Sequence, residues 1–191
     1  HRDLHSFPTR RSSDLVEDSE ILSVVDDQDQ VIGQRRRDDI HRLSLSHRAI
    51  HVLVFRQDGQ IFLQKRGRHK QESPGLWDSS VAGHVDAGET YDACCVREIR
   101  EEIGIRVIEM PKRLFKLVAS PQTGMEFCWV YRLVTDLKLV LDYTEMETGQ
   151  WVTQAQVDQW LSDSAEDFAD SFHLIWRHFS QRKEADLVEC L

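Results

Sequence analysis

The sequence predicts an α/β protein in which helices cover a mixed β-sheet, and three observations lead to that prediction. Short β-type runs recur along most of the chain and are separated by turn signals. One stretch in the middle of the chain repeats apolar residues at helical spacing. An aromatic stripe near the C-terminus predicts a helix with one buried face. Strands interrupted by a few helices are typical of this class.

The predicted strands follow in chain order. Residues 21–25 and 31–34 flank a polar Asp-Asp-Gln-Asp-Gln stretch and predict an N-terminal hairpin within residues 20–36. Residues 49–55 and 60–64 flank Gln57-Asp58-Gly59, which is a strong turn signal for a second hairpin. Shorter strands are predicted at residues 79–82, 114–119, 127–134 and 150–152.

The predicted helices have clear start and stop signals. Thr90 is a suitable N-cap and Gly104 a suitable stop, so residues 91–103 are predicted to be helical. Thr153 is predicted to cap a helix that runs through Leu161. A C-terminal helix is predicted over residues 165–182, and core packing explains its stripe better than a partner surface does. The stripe consists of Phe168, Phe172, Ile175, Trp176 and Phe179.

Size and charge narrow the possible functions. The 191 residues indicate one domain with its own core, and the net charge of −9 argues against nucleic acid as the main partner. A small phosphorylated substrate stays compatible with that charge, because a bound cation reverses the local field. No run approaches the roughly 20 apolar residues that a membrane span needs. The four cysteines lack disulfide or zinc spacing, which favours reduced thiols and a cytoplasmic location; they are Cys94, Cys95, Cys128 and Cys190.

The first fifteen residues are set apart from the fold. Residues 6–15 read SFPTRRSSDL, which is what one frame of a common sequencing-library adapter encodes. We expect residues 1–15 to be a cloning or assembly artefact, and a transit peptide is the alternative because the stretch is rich in Arg and Ser. The predicted domain therefore comprises residues 16–191.

One segment carries residues suited to metal chemistry, and it reads GHVDAGETYDACCVREIREEIGI from Gly83 onwards. Glu98, Glu101 and Glu102 are spaced so that their carboxylates share one helix face. A hard divalent cation would offset the repulsion between them. Taken alone, an acidic helix face is more often simply solvated.

The whole segment decides between these readings, because it matches the Nudix signature at every specified position. The matching residues are Gly83, Glu89, Arg97-Glu98-Ile99, Glu101-Glu102 and Gly104-Ile105. The chain therefore resembles the Nudix hydrolase superfamily. The resemblance implies an α/β/α sandwich with a mixed sheet, a loop–helix–loop for this box, and a Nudix core at residues 46–162. It also implies Mg²⁺-dependent pyrophosphatase activity, with Mn²⁺ as a possible substitute, on a nucleoside diphosphate derivative or a related organic diphosphate.

The resemblance also implies roles for the residues of the box. Glu98 and Glu102 would bind the metal, and Glu101 would assist as a ligand or as the base that orients water. Arg97 would complete the catalytic group, with Glu89 orienting it from outside the metal shell. The backbone carbonyl of Gly83 would complete the shell, since glycine allows close approach.

A wider resemblance points to the branch that contains type 1 isopentenyl-diphosphate isomerase, in which three histidines and two glutamates hold a metal. The residues that carry it are Ser46-His47-Arg48-Ala49, Gln64-Lys65-Arg66, Pro74-Gly75-Leu76-Trp77-Asp78 and Val81-Ala82-Gly83-His84. His47 and His84 fall on two of the histidine positions, whereas His41 falls one residue away from the third and is expected at the surface. Glu145 and Glu147 fall near the glutamate pair, and Glu145 also suits the downstream glutamate of many Nudix hydrolases. Arg66 and Lys70 match residues that hold diphosphate.

The isomerase reaction is disfavoured, because the resemblance requires a cysteine where this chain has Ala82, while the hydrolase glutamates are all present. A non-catalytic binding module is also disfavoured, because such modules commonly lose those glutamates. The substrate stays open among nucleoside, prenyl and thiamine diphosphates. A homodimer is possible through the edge of the N-terminal hairpin.

Overall fold

The computed structural model describes the backbone of residues 20–189 and the side chains of residues 20–182, so the expected artefact segment lies outside the described residues. In chain order, the elements in this part of the chain are β1 (Ile21–Val25), β2 (Val31–Arg36), α1 (Arg37–Arg42), β3 (His47–Phe55), β4 (Ile61–Arg66), β5 (Trp77–Asp78), β6 (Val81–His84), α2 (Tyr91–Ile103), β7 (Lys112–Leu117), β8 (Glu126–Val134), β9 (Met146–Val152), α3 (Gln154–Asp163) and α4 (Asp170–Glu189). Short 3₁₀ turns cover Pro121–Thr123 and Ala165–Asp167.

Strand β3 organises the main sheet. Strands β1 and β2 form a separate antiparallel hairpin, while the other seven strands form one mixed sheet with the central order β5-β4-β3-β8-β7. Residues 49–52 of β3 pair with β6, and Val54 and Phe55 pair with β4. On its other edge β3 runs parallel to β8 along its whole length. The start of β3 therefore lies between β6 and β8, which gathers the ends of three strands at one place.

Both faces of the sheet are buried under helices. Ile50, Val52 and Val54 point to one face and pack with the apolar side of α2. Leu53 and Phe55 point to the opposite face and pack with α3 and α4. This alternation follows from the two-residue period of a strand. The predicted α/β/α sandwich is confirmed, and the aromatic stripe of α4 is core.

The helix of the box has the predicted ends. The Thr90 side chain accepts a hydrogen bond from the Ala93 amide at 3.2 Å, and Gly104 adopts the left-handed conformation with φ of 70°. A left-handed residue just after a helix satisfies carbonyls of the last turn, and glycine adopts that conformation without strain. The sequence therefore fixes where this helix begins and ends.

Three elements differ from the predictions. Helix α1 was not predicted, because Ile40 is its only large apolar residue and its N-cap has no side-chain hydrogen bond. The strand predicted at residues 79–82 is instead β5 and β6, separated by Ser79 and Ser80. These serines are buried and bond across the sheet, Ser79 to His51 and Ser80 to Val54, which interrupts the strand. The C-terminal helix begins at Asp170, later than predicted, after a 3₁₀ turn.

Candidate active site

The close approach of Gly83 to Glu98 positions the first metal-binding candidate. Gly83 lies in β6 and pairs with Ile50 of β3, so its backbone is fixed by the sheet. A Cβ atom at Gly83 would lie 2.2 Å from the Cδ atom of Glu98. Glycine is therefore required here for space rather than for an unusual backbone angle. The strand and the helix of the box touch at this pair.

Arg97 organises the carboxylates around it. Its guanidinium donates to both carboxylate oxygens of Glu89, at 2.9 and 3.0 Å, and to the backbone carbonyl of His84 at 3.0 Å. It also donates to Glu98 at 2.5 Å and to Glu101 at 3.3 Å. A planar guanidinium can hold several oxygens in fixed directions. Glu89 also accepts a hydrogen bond from the Asp86 amide at 3.1 Å.

Glu98 and Glu102 are both buried, with 9% and 4% of their surfaces exposed. Burial raises the pKa of Glu98 to about 8, although Arg97 acts in the opposite direction. Burial also raises the pKa of Glu102 well above its ordinary value, and repulsion from Glu98 and Glu145 adds to the effect. The one hydrogen bond described for the Glu102 carboxylate comes from the Gln64 amide at 3.2 Å. Two adjacent buried carboxylates of this kind favour a proton or a cation between them.

Glu101, Lys70 and Arg66 differ from the buried pair Glu98 and Glu102 in exposure and in ion-pair partners. Glu101 is on the exposed side of the helix, with 58% of its side chain accessible. Lys70 forms an ion pair with Glu145, which brings Glu145 to the box glutamates. Arg66 forms an ion pair with buried Asp78 at 3.2 Å. Glu145 therefore occupies a place suited to a downstream metal ligand.

Three histidines meet at the start of β3. The ring centroids of His41, His47 and His84 lie 5.0 to 5.2 Å from one another. One nitrogen from each ring lies within 4.8 Å of the others. His41 is therefore not a surface residue, and the expectation that it would be is wrong. Helix α1 carries its ring inwards, and no pattern along the chain predicted that helix.

Two carboxylates that the sequence analysis missed lie beside the histidines. Glu126 is 3.1 Å from His84 Nε2 and 3.6 Å from His47 Nε2. Burial alone would raise the pKa of Glu126, but the two histidines hold it well below its ordinary value. The Glu72 carboxylate lies 2.7 Å from His41 Nδ1. Glu72, His84 and Glu126 can also bring one ligand atom each within 4.8 Å of one another.

The carboxylates beside the histidines are not the two that the isomerase resemblance implied, Glu145 and Glu147. Glu145 lies with Lys70, and Glu147 is 3.5 Å from Arg68 and 4.0 Å from Lys65, so the carboxylates beside the histidines are Glu126 and Glu72. Glu126 lies opposite His47 in the parallel pairing of β3 with β8. That register depends on tertiary structure, so no signal along the sequence identified Glu126.

One cavity of about 1010 Å³ joins the two groups of residues. Carboxylates outnumber cationic side chains in its lining, which includes Arg66, Lys70, Ala82 and Arg97. The lining also includes the box glutamates together with His84, Glu72 and Glu126. An anionic diphosphate can enter such a cavity only if cations offset the carboxylates.

Comparison with known proteins identifies the family of this chain. The NUDIX domain family matches residues 45–172, so the chain belongs to the Nudix family. The chain is 38% identical over 105 residues to an uncharacterized Nudix hydrolase of Streptomyces coelicolor, a match that covers 55% of this chain and 58% of that protein. It is 42% identical over 85 residues to isopentenyl-diphosphate Delta-isomerase 2 of Photorhabdus laumondii, covering 44% of this chain and 48% of the relative.

A solved structure agrees over most of the chain. The crystal structure of DR0079 from Deinococcus radiodurans superposes with a TM-score of 0.73 at 27% identity and covers 84% of this chain and 99% of that one. Several relatives are named as Nudix hydrolases, which places this chain in a class of hydrolases that act on diphosphate bonds. Enzymes of this class generally use divalent cations. No helix within residues 20–189 is long and apolar enough to cross a membrane.

Proposed function

We propose that the protein hydrolyses a diphosphate linkage in a nucleoside diphosphate derivative or a related organic diphosphate, with Mg²⁺ held by Glu98 and Glu102. The observation that carries the proposal is the burial of these two carboxylates against each other in a cavity that also contains Lys70 and Arg66. Their raised pKa values come first from burial, which disfavours the charged carboxylates and makes a bound cation favourable. Oxygen ligands of this kind suit Mg²⁺ or Mn²⁺.

The residues divide the chemistry between them. A divalent cation on these carboxylates supplies charge neutralisation at the phosphate oxygens and acidifies the attacking water. Glu101, the most exposed of the three, is the base that accepts the proton from water. Arg97 holds Glu98 and Glu101 in fixed directions, and Glu89 holds Arg97. Lys70 and Arg66 bind phosphate oxygens, and Glu145 is a further ligand candidate near the box glutamates.

The histidine group fits a second cation. The Nε2 atoms of both His41 and His47 are buried and have no hydrogen-bond partner in the described part of the chain. Neutral imidazole suits transition metals such as Mn²⁺, Fe²⁺ or Zn²⁺ better than Mg²⁺. We therefore extend the proposal to a second metal site made by His41, His47, His84 and Glu126, of which His84 and Glu126 line the same cavity as the box glutamates.

The test is a hydrolysis screen over nucleoside, prenyl and thiamine diphosphates with Mg²⁺ or Mn²⁺. Glu98→Gln and Glu102→Gln should each reduce kcat by about 10³-fold or more, because the variants lose a ligand charge while keeping a similar side-chain shape. Glu166→Gln is the control, since Glu166 is an exposed carboxylate in a 3₁₀ turn and is not part of the cavity lining. Full activity in both box variants would refute the assignment of the site.

An isomerase acting on isopentenyl diphosphate is the second candidate, favoured by the histidine group and by the isomerase relatives. Ala82 lines the cavity where that reaction requires a cysteine. Cys94, Cys95 and Cys128 are buried, and no described cysteine lines the cavity. Formation of dimethylallyl diphosphate by the unmodified protein would overturn our preference for hydrolysis. A cytoplasmic location and a homodimer stay predictions.

A further inference from the structure

The loop at residues 67–76 reaches from the phosphate-binding residues to the histidine group. Its two ends are held at β4, where the Arg66 carbonyl accepts a hydrogen bond from the Gly75 amide at 3.1 Å. The Gly67 amide donates to the Glu145 carbonyl, also at 3.1 Å. Within the loop, Arg66 Nε donates to the backbone carbonyl of Glu72 at 3.1 Å. These bonds fix the backbone of Glu72, so its side chain is directed at His41.

Hydrogen bonding fixes which nitrogen of each ring carries a proton. His47 Nδ1 lies 2.9 Å from the Leu45 carbonyl, and a carbonyl only accepts, so Nδ1 must donate. Glu72 is in the same position relative to His41, with its carboxylate 2.7 Å from Nδ1. In a neutral ring the Nε2 atom then carries the lone pair. In both rings Nε2 is buried without a hydrogen-bond partner among the described residues, which suits a lone pair directed at a cation.

We propose that Glu72 is the positioning residue of the histidine metal site, where it fixes the Nδ1–H tautomer and the orientation of His41. The role rests on the second metal site proposed above but not on the hydrolytic reaction. A carboxylate behind a metal-binding histidine raises the basicity of the imidazole and fixes the ring. The isomerase resemblance did not predict this residue, because it placed the glutamate pair at Glu145 and Glu147.

A direct ligand role for Glu72 is the competing explanation. Metal–nitrogen distances are about 2.1 Å, so ligands of one cation lie within roughly 4.2 Å of one another. The ligand atoms of Glu72, His84 and Glu126 lie within 4.8 Å of one another, which is the same limit that holds for the three histidines, so spacing alone does not separate the two roles. The Glu72 carboxylate is, however, already engaged by His41 Nδ1, while His41 Nε2 is the ring nitrogen that is buried without a hydrogen-bond partner among the described residues. We therefore favour positioning, and the experiment separates the two roles.

The experiment titrates Co²⁺ into the protein with excess Mg²⁺ present to fill the carboxylate site, and follows the visible absorption bands. Glu72→Ala should weaken Co²⁺ binding about 10- to 100-fold while the bands of the saturated variant stay at the wild-type energies. Glu72→Gln should restore part of the affinity, because its amide carbonyl still accepts from Nδ1. Glu147→Ala is the matched control: its carboxylate is 40% exposed, as that of Glu72 is, and it holds the same loop through Arg68 without reaching His41.

A second measurement does not depend on metal. Nitrogen-15 NMR of the metal-free protein should show His41 as the Nδ1–H tautomer, and Glu72→Ala should shift it towards the Nε2–H form. Glu72→Ala with Co²⁺ affinity within twofold of wild type would overturn the proposal, and so would an unchanged tautomer. Band energies that change at saturation would instead make Glu72 a ligand. The second metal site and this role both fail if the wild type does not bind Co²⁺, or if His47→Ala binds it as well as the wild type does. Mg²⁺-dependent hydrolysis would still stand in either case.

Discussion

The contact between Gly83 and Glu98 gives the sharpest test of how the fold positions the catalytic carboxylates. In Gly83→Ala the new Cβ would lie 2.2 Å from Glu98 Cδ, whereas carbon atoms ordinarily approach to about 3.5 Å. The backbone of Gly83 is fixed by its pairing with β3, so the Glu98 carboxylate must retreat by roughly 1 Å. A misplacement of that size costs about 100-fold in rate, which is about 2.7 kcal/mol of transition-state stabilisation.

Gly83→Ala should change the free energy of unfolding less than it changes transition-state stabilisation, because the end of the Glu98 side chain can rotate away from the new Cβ. We expect a loss of about 1 kcal/mol, equivalent to a fall in Tm of about 2–4 °C for a chain of this size. Gly149→Ala is the matched control, since its Cβ would lie 2.1 Å from the Cζ atom of Phe62, a ring that is buried in the core. That variant should lose more stability while the folded protein keeps more of its kcat/KM than Gly83→Ala does, because the added Cβ meets the Phe62 ring and not a carboxylate of the box.

The assays are Mg²⁺ affinity by calorimetry, kcat/KM on the substrate found in the screen, and thermal unfolding. Gly83→Ala should lower Mg²⁺ affinity and kcat/KM together, with a small change in Tm. Wild-type Mg²⁺ affinity and kcat/KM in Gly83→Ala would refute the reasoning, because the carboxylate would then not need its observed position.

Three further predictions concern the same site. In EDTA, Glu102→Gln should be as stable as wild type or more stable, since burial already raises the pKa of this carboxyl; a clear loss of Tm would contradict that view. The pKa of Glu98 is raised to about 8 in the folded, metal-free protein, whereas the unfolded chain releases this proton near pH 4.5. The proton on Glu98 therefore stabilises the metal-free fold, and that contribution to the free energy of unfolding is lost as pH rises through about 8. The Tm gained on adding Mg²⁺ should therefore grow from pH 6 to pH 9 in wild type and grow less in Glu98→Gln, where Glu102 is the buried carboxyl that still exchanges a proton for the cation. Lys70→Ala should raise KM about tenfold with little change in kcat, because a phosphate contact made equally in ground and transition states is lost; unchanged KM would remove Lys70 from the site.

Local rules in the sequence account well for the helix of the box. Its N-cap at Thr90 and its left-handed stop at Gly104 depend on side-chain and backbone chemistry within one turn, and both were predictable. The apolar run of β3 beside the turn at Gln57-Asp58-Gly59 likewise predicted a strand, and its residues are buried on both faces of the sheet. Helix α1 was not predictable, because burial of Ile40 rather than helix propensity holds it.

The sequence by itself determined the family, the α/β class and the three glutamates of the box, because those residues lie on one short helix at fixed spacing. Only the tertiary structure decided that His41, His47, His84, Glu126 and Glu72 meet, since they come from five separate segments of the chain. Their meeting depends on the parallel register of β3 with β8, on α1, and on the loop at residues 67–76. Pairing between distant strands follows from burial summed over the whole sheet, and no local pattern encodes that sum.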